Sequence, residues 1–198
     1  MTYDILFALL TFCFVSTITP GPNNLMVMAS GANFGYWRTM PHMLGIAVGF
    51  SVMTLLVGLG LIRVFVAFPI THTVLSVVSV AYLLWLAWKI ARAAPPEARA
   101  EAAGRPLTFL QAALFQWVNP KAWTMALTAI TVYAADQSLL AITVVAAMFA
   151  LVCIPCVSVW TVLGQQMRRV LTNPARLRVF NWTMAGLLVA SLVPLLFR

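Results

Sequence analysis

Lys121 lies in the apolar run 107–134, directly after Asn119 and Pro120. A charge near the middle of a membrane-spanning helix costs about 2.5–3.5 kcal/mol on insertion scales. No acid stands at similar depth: Asp136 is about four helical turns further on, and Asp4, Glu97 and Glu101 are peripheral. Two readings follow. Either Lys121 is held by backbone carbonyls or snorkels through packing, or its counter-ion is a carboxylate that arrives and leaves, a bound substrate.

The stretch STITPGPNNLM, Ser16 to Met26, places Thr19, Pro20, Gly21, Pro22, Asn23 and Asn24 inside another apolar run. A proline inside a helix costs about 3 kcal/mol, because it removes a donor and crowds the carbonyl four residues back. Pro20 and Pro22 release the carbonyls of Ser16 and Ile18, and Pro120 releases that of Gln116. Within a bilayer such backbone is tolerated only where it is packed in protein or lines a wet cavity. Asn23, Asn24 and Asn119 suit the capping of broken helices, and capping is compatible with ligand binding.

Other reactive side chains are few. Cys153 and Cys156 form C-I-P-C, and Cys13 lies in the first run, so an alternative function is a transmembrane thiol or electron carrier. Against it, the fourth run has no cysteine, and Cys13 is about two turns from Pro20; the thiols otherwise read as small apolar packing residues. Serine at all three positions would separate a thiol carrier from a transporter. His42 and His72 have no acid beside them within a span. Metal-ligand spacing is absent, and no cofactor or catalytic residue is expected. His42 could titrate near neutral pH and take part in proton coupling; the simpler reading is a solvated histidine at a helix end.

These residues need elements to hold them. The 198 residues are 63% hydrophobic and 8% charged, with a mean hydropathy of +0.97, which predicts an all-α integral membrane protein. Six runs are near the roughly 20 residues a span requires: 4–34, 40–66, 72–93, 107–134, 138–167 and 176–197. They are too long, and alternate too little, for barrel strands. The amino terminus carries Asp4 and no basic residue, unlike a secretory signal peptide, so the first run is expected to remain in the mature protein. The net charge of +8 forms no nucleic-acid-binding stripe and is better explained by orientation in the membrane. Arg38, Lys89, Arg92, Arg99, Arg105, Arg168, Arg169, Arg176 and Arg178 mark one side, whereas Asp4, Arg63, Asp136 and Arg198 mark the other. The positive-inside rule then sets both termini outside the cytoplasm.

The Ala- and Pro-rich linker 94–106 separates a three-helix repeat over 1–93 from another over 107–198. Three helices on each side are the arithmetic of an inverted repeat within one transmembrane domain, and broken helices 1 and 4 match at nearly the same depth. The two downstream half-helices begin near one point and run apart, so their positive poles converge there, beside carbonyls that attract cations. Such a pocket suits a zwitterion.

The segments TPGPNNLMVMASGANFGYWRTMPHMLGIAVGF, AYLLWLAWKI and FQWVNPKAW resemble the lysine exporter (LysE) superfamily and its homoserine/threonine (RhtB) branch. Its cysteine/O-acetylserine exporters are the nearest in pattern, and the likeness covers essentially the whole chain. The resemblance implies export of amino acids or close derivatives across the bacterial inner membrane, driven by the proton motive force. It places Thr19, Pro20, Gly21, Pro22 and Asn23 on the first family motif and Asn119, Pro120 and Lys121 on the second. The lack of an intramembrane acid favours small neutral substrates over dicationic ones, and Lys121 is the most economical proton carrier, with the substrate the other candidate.

Three further features concern packing. Gly45 and Gly49 form G-x-x-x-G, whose default meaning is close packing within the subunit, with a homodimer through that face as the alternative. Pro155 and Pro194 mark expected kinks, and the fifth helix is the expected moving element.

Overall fold

The computed structural model describes residues 2–61, 67, 70–93, 105–171 and 173–193, the side chains of 71, 72 and 168 excepted. Arg63, the His72 side chain, the linker residues 94–104, Pro194 and Arg198 therefore lie outside the described residues. Among those described there is no strand. The helices are α1 (Tyr3–Ile18), α2 (Pro22–Phe34), α3 (Tyr36–Leu56), α4 (Ile70–Ala91), α5 (Phe109–Phe115), α6 (Pro120–Tyr133), α7 (Leu139–Val170) and α8 (Pro174–Ala190). α3 runs on into a π-helical turn, Val57–Leu61, and α5 into a 3-10 turn, Gln116–Val118.

The starts follow from local chemistry. Thr108 and Gln111 form a reciprocal capping box on α5, Ser138 accepts from Ala141 N at the head of α7, and Asn173 caps α8 ahead of Pro174; each satisfies donors a helix start leaves open. Gly35, at φ 82, joins α2 to α3 in one residue, a backbone conformation that side-chain-bearing residues rarely adopt. Pro155 does not divide α7, which is a single helix from Leu139 to Val170.

Among the described residues three helices are long and apolar enough to cross a membrane: Tyr36–Leu61, Thr73–Ala91 and Leu139–Met167. The pair α1 and α2, bent by 56°, makes a fourth if it is one span. α6 has 14 residues and α8 has 17, shorter than the roughly 20 a perpendicular span needs. As far as they are described, the expected runs are largely helical, but 4–34 and 107–134 are each divided at their prolines.

The outer surface is as apolar as the core. Large apolar side chains face outward, among them Phe7, Val74, Leu140, Leu151 and Val179, while Asn24, Asn33, Gln116, Asn119 and Asn181 are buried. Outward apolar surface on this scale fits a lipid surround.

α2 and α7 make the closest helix contact. Gly31 lies against the backbone of Thr161, and Gly164 lies against the backbone of Met28. On α3, Gly45 meets Phe109 O and Ala112, and Gly49 meets Ala113; the G-x-x-x-G face is thus filled from within the chain by α5. Close approach over small residues is how membrane helices gain packing contacts. These crossings bring the α1–α2 break and the α5–α6 break together.

Candidate functional site

The carbonyls freed by the prolines are accounted for one by one. Ser16 O, at 2.9 Å, shares the single hydroxyl proton of Thr19 Oγ1 with Val15 O, at 2.7 Å, and Ile18 O accepts from the Trp160 indole of α7 at 2.9 Å. Gln116 O accepts from Asn119 N at 3.2 Å within the 3-10 turn, and Trp117 O from the Trp123 indole at 2.8 Å. Unpaired carbonyls would be costly here, and α7 supplies one of the donors.

Asn24 stitches the first break from below. Its Nδ2 donates to Thr17 O and Thr19 O, both at 2.8 Å. Asn119 Oδ1 accepts from Lys121 N at 3.2 Å and caps α6. Asn23 and Gln116 exchange both amide hydrogen bonds, at 2.8 and 3.2 Å, and Gln116 Nε2 also donates to Ala112 O at 2.9 Å. That amide pair ties one break to the other. Gln116, 0% exposed, was expected only to lose its carbonyl partner; its side chain is the larger contribution.

Lys121 crosses from the second break to the first. Its ammonium donates to Thr19 O at 2.7 Å, Thr19 Oγ1 at 3.3 Å and Pro20 O at 3.3 Å. An ammonium has three donors and no acceptor, so these contacts fill it. The cation-holding carbonyls are therefore those of Thr19 and Pro20, not the proline-released pair of Ser16 and Ile18. Gly21 makes room for this approach: a Cβ there would stand 2.8 Å from Lys121 Cδ and 3.1 Å from Nζ.

Between the breaks is a cavity of about 30 Å³, lined by Ser16, Thr17, Gly21, Asn23, Asn24, Gln116, Asn119 and Lys121, with Phe50, Met125 and Cys153 among its apolar walls. It has room for one or two water molecules. Of the expected residues, Gly21, Asn23, Asn24, Asn119 and Lys121 meet there; Thr19 and Pro20 reach it through the Lys121 contacts, and Pro22 and Pro120 start the helices that frame it.

His42 is not the solvated helix-end residue expected. It is 1% exposed, because the start of α3 folds under α2, and it lines a different cavity. Cys13, Cys153 and Cys156 are buried and free, set among core residues such as Phe149 and Val157. No cluster of metal-ligating side chains occurs among the described residues.

Similarity to known proteins gives the family. A cysteine/O-acetylserine efflux protein of Klebsiella pneumoniae subsp. pneumoniae is 29% identical over 192 residues, 96% of this chain and 95% of that protein. Proteins of the same description from Salmonella typhimurium and Escherichia coli K12 are 33% and 30% identical over 138 residues, 70% of each chain. No solved structure matches. The model of the LysE type translocator family matches residues 14–196, and with that match over nearly its whole length the chain, a membrane translocator and not an enzyme, belongs to that family.

Proposed function

We propose that the protein exports small neutral amino acids or close derivatives, cysteine and O-acetylserine being the first to test, by alternating access at the paired breaks. The observation that carries this reading is the Lys121 ammonium held by Thr19 and Pro20 carbonyls across the two breaks. A zwitterion can replace that internal contact with two stronger ones. Its carboxylate takes the lysine in a charge-assisted bond, and its ammonium takes the carbonyls the lysine vacates. The convergent amino termini of α2 and α6 favour the same carboxylate.

The cavity of about 30 Å³ is too small for an amino acid, so binding requires the two halves to part. Six spans in two inverted halves fit this motion. α1 with α2 and α5 with α6 form the broken first span of each half, α3 is paired with α7, and α4 with α8. The basic residues set both termini on the outer face of the inner membrane. Protons enter as the zwitterion leaves, with Lys121 their carrier.

Proteoliposomes loaded with a panel of labelled amino acids under an imposed pH gradient test this. Small neutral substrates should leave faster with the gradient than without it, and Lys121→Ala should lose that efflux. Transport unchanged by Lys121→Ala would overturn the site.

A further inference from the structure

A second cavity, of about 270 Å³, lies along the same helix as the first. Asn23 borders the first and Asn33 the second, a separation of about 15 Å along α2 at the helical rise. Its walls come from α2, the start of α3, the end of α4 and the segment leading into α5. Lys89, Arg92 and Arg105 line it, and no acidic residue among the described ones does. Lys89 Nζ stands 5.0 Å over the Trp85 ring and the Arg92 guanidinium 4.6 Å over that of Trp88, contacts that steady the cations without neutralising them.

Two buried side chains in its wall carry polar atoms that lack partners among the described residues. Asn33, 5% exposed, donates from Nδ2 to Ala29 O at 2.8 Å and Asn181 Oδ1 at 3.1 Å, and Asn181 Nδ2 donates in turn to Ala93 O at 3.0 Å. That chain of donors fixes the amide orientation, because turning Asn33 over would set its oxygen against two acceptors. Asn33 Oδ1 is left as a buried acceptor with no donor, and neither ring nitrogen of His42 is bonded. Buried polar atoms are seldom left so.

We propose that this cavity is a second substrate site, a vestibule that receives the zwitterion before it reaches the breaks. The cations of Lys89, Arg92 and Arg105 take its carboxylate. Asn33 Oδ1 accepts from its ammonium, and His42 meets its remaining polar group. A bare anion would leave the Asn33 acceptor unfilled, and a simple cation would be repelled by the three positive charges. The vestibule rests on the export reading, and the positive-inside rule puts it on the cytoplasmic side, where an exporter loads.

The test is equilibrium binding of radiolabelled cysteine and O-acetylserine to the full chain in nanodiscs of phosphatidylcholine, paired with efflux from proteoliposomes of the same lipid. Lys121→Ala should still bind one molecule per chain, and adding Lys89→Gln with Arg105→Gln should abolish it. In the wild-type background that pair should raise the KM for efflux about tenfold with little change in maximal rate, the mark of lost ground-state binding. Asn33→Leu should do the same, and Arg105, being exposed, guards against a folding artefact. Wild-type efflux with an unchanged KM in the Lys89→Gln, Arg105→Gln pair and in Asn33→Leu would overturn the vestibule and leave export standing. An effect seen only when anionic lipid is added would assign the cations to headgroups and also overturn it. A wild type that neither binds nor moves either compound would overturn the export of these substrates itself.

Discussion

The ammonium of Lys121 and the carbonyl of Thr19 are 2.7 Å apart, although 102 positions separate them in the chain. One residue follows the proline of the second break and the other precedes the first proline of the first, so a single contact closes both interruptions on each other. It joins a charge to a dipole, and a carboxylate competes for such a charge on favourable terms.

Lys121→Met should therefore abolish transport while keeping the fold. Thr19 O retains the Asn24 amide at 2.8 Å, and Pro20 O, which loses the ammonium, belongs to an exposed residue, so no buried carbonyl is left bare. Losing one hydrogen bond to a charged group, about 1.5–3 kcal/mol, corresponds to efflux slowed by tenfold or more. Efflux assays and the thermal unfolding midpoint of the solubilised protein, expected to stay within a few degrees, check the two halves of this statement.

Gly21→Ala should act through Lys121 and not through the backbone. Gly21 has φ −175, extended geometry open to any residue, but a Cβ would crowd Lys121 Cδ at 2.8 Å. The lysine must then shift off its carbonyls. Transport should fall severalfold in Gly21→Ala and further in Gly21→Val, with no added loss when either is combined with Lys121→Met. A double-mutant cycle measures that coupling; independent effects would break the link.

The breaks and the lysine were legible in the sequence because proline and buried charge carry their costs locally. Their partners were not. Trp160 bonds Ile18 O from 142 positions away and Gln116 pairs with Asn23 from 93, and neither residue type announces such a role in an apolar run. His42 departs from its sequence pattern for a related reason. Its place near the start of a helix suggested solvent, whereas the tight turn at Gly35 folds that start beneath α2, so tertiary packing decided its burial.

The Asn23–Gln116 pair should separate stability from function. Asn23→Leu strands Gln116 Oε1 in the interior and should cost about 1–3 kcal/mol, whereas replacing both partners with leucine restores much of that, since no polar atom is left unpaired. Transport should fail in both. Denaturation of the detergent-solubilised variants beside their efflux rates gives the comparison; a double variant that recovers transport would remove the pair from the binding site.

Alanine at Cys13, Cys153 and Cys156 together should leave efflux within about twofold of wild type, the thiols acting as small apolar groups. Alanine is preferable to serine, because a buried hydroxyl without a partner carries its own cost. Loss of function in the triple variant, with unfolding unchanged, would favour a thiol-based mechanism.

The α2–α7 crossing should tolerate no added atom. Gly31 faces the Thr161 backbone and Gly164 the Met28 backbone, and backbone cannot swing aside as the Lys121 side chain can. Overpacking typically costs about 1–3 kcal/mol, so Gly31→Ala and Gly164→Ala should each lower the unfolding midpoint and the yield of folded protein. Because α2 carries Asn23 and Asn24 at one end and Asn33 at the other, a displaced crossing also moves the first cavity relative to the second. Transport per folded molecule should therefore fall as well, in contrast to Gly186→Ala, where a Cβ meets nothing within 4 Å and both stability and efflux should stay at wild-type values. Equal behaviour of the three variants in unfolding and efflux assays would show that the crossing does not set the distance between the cavities.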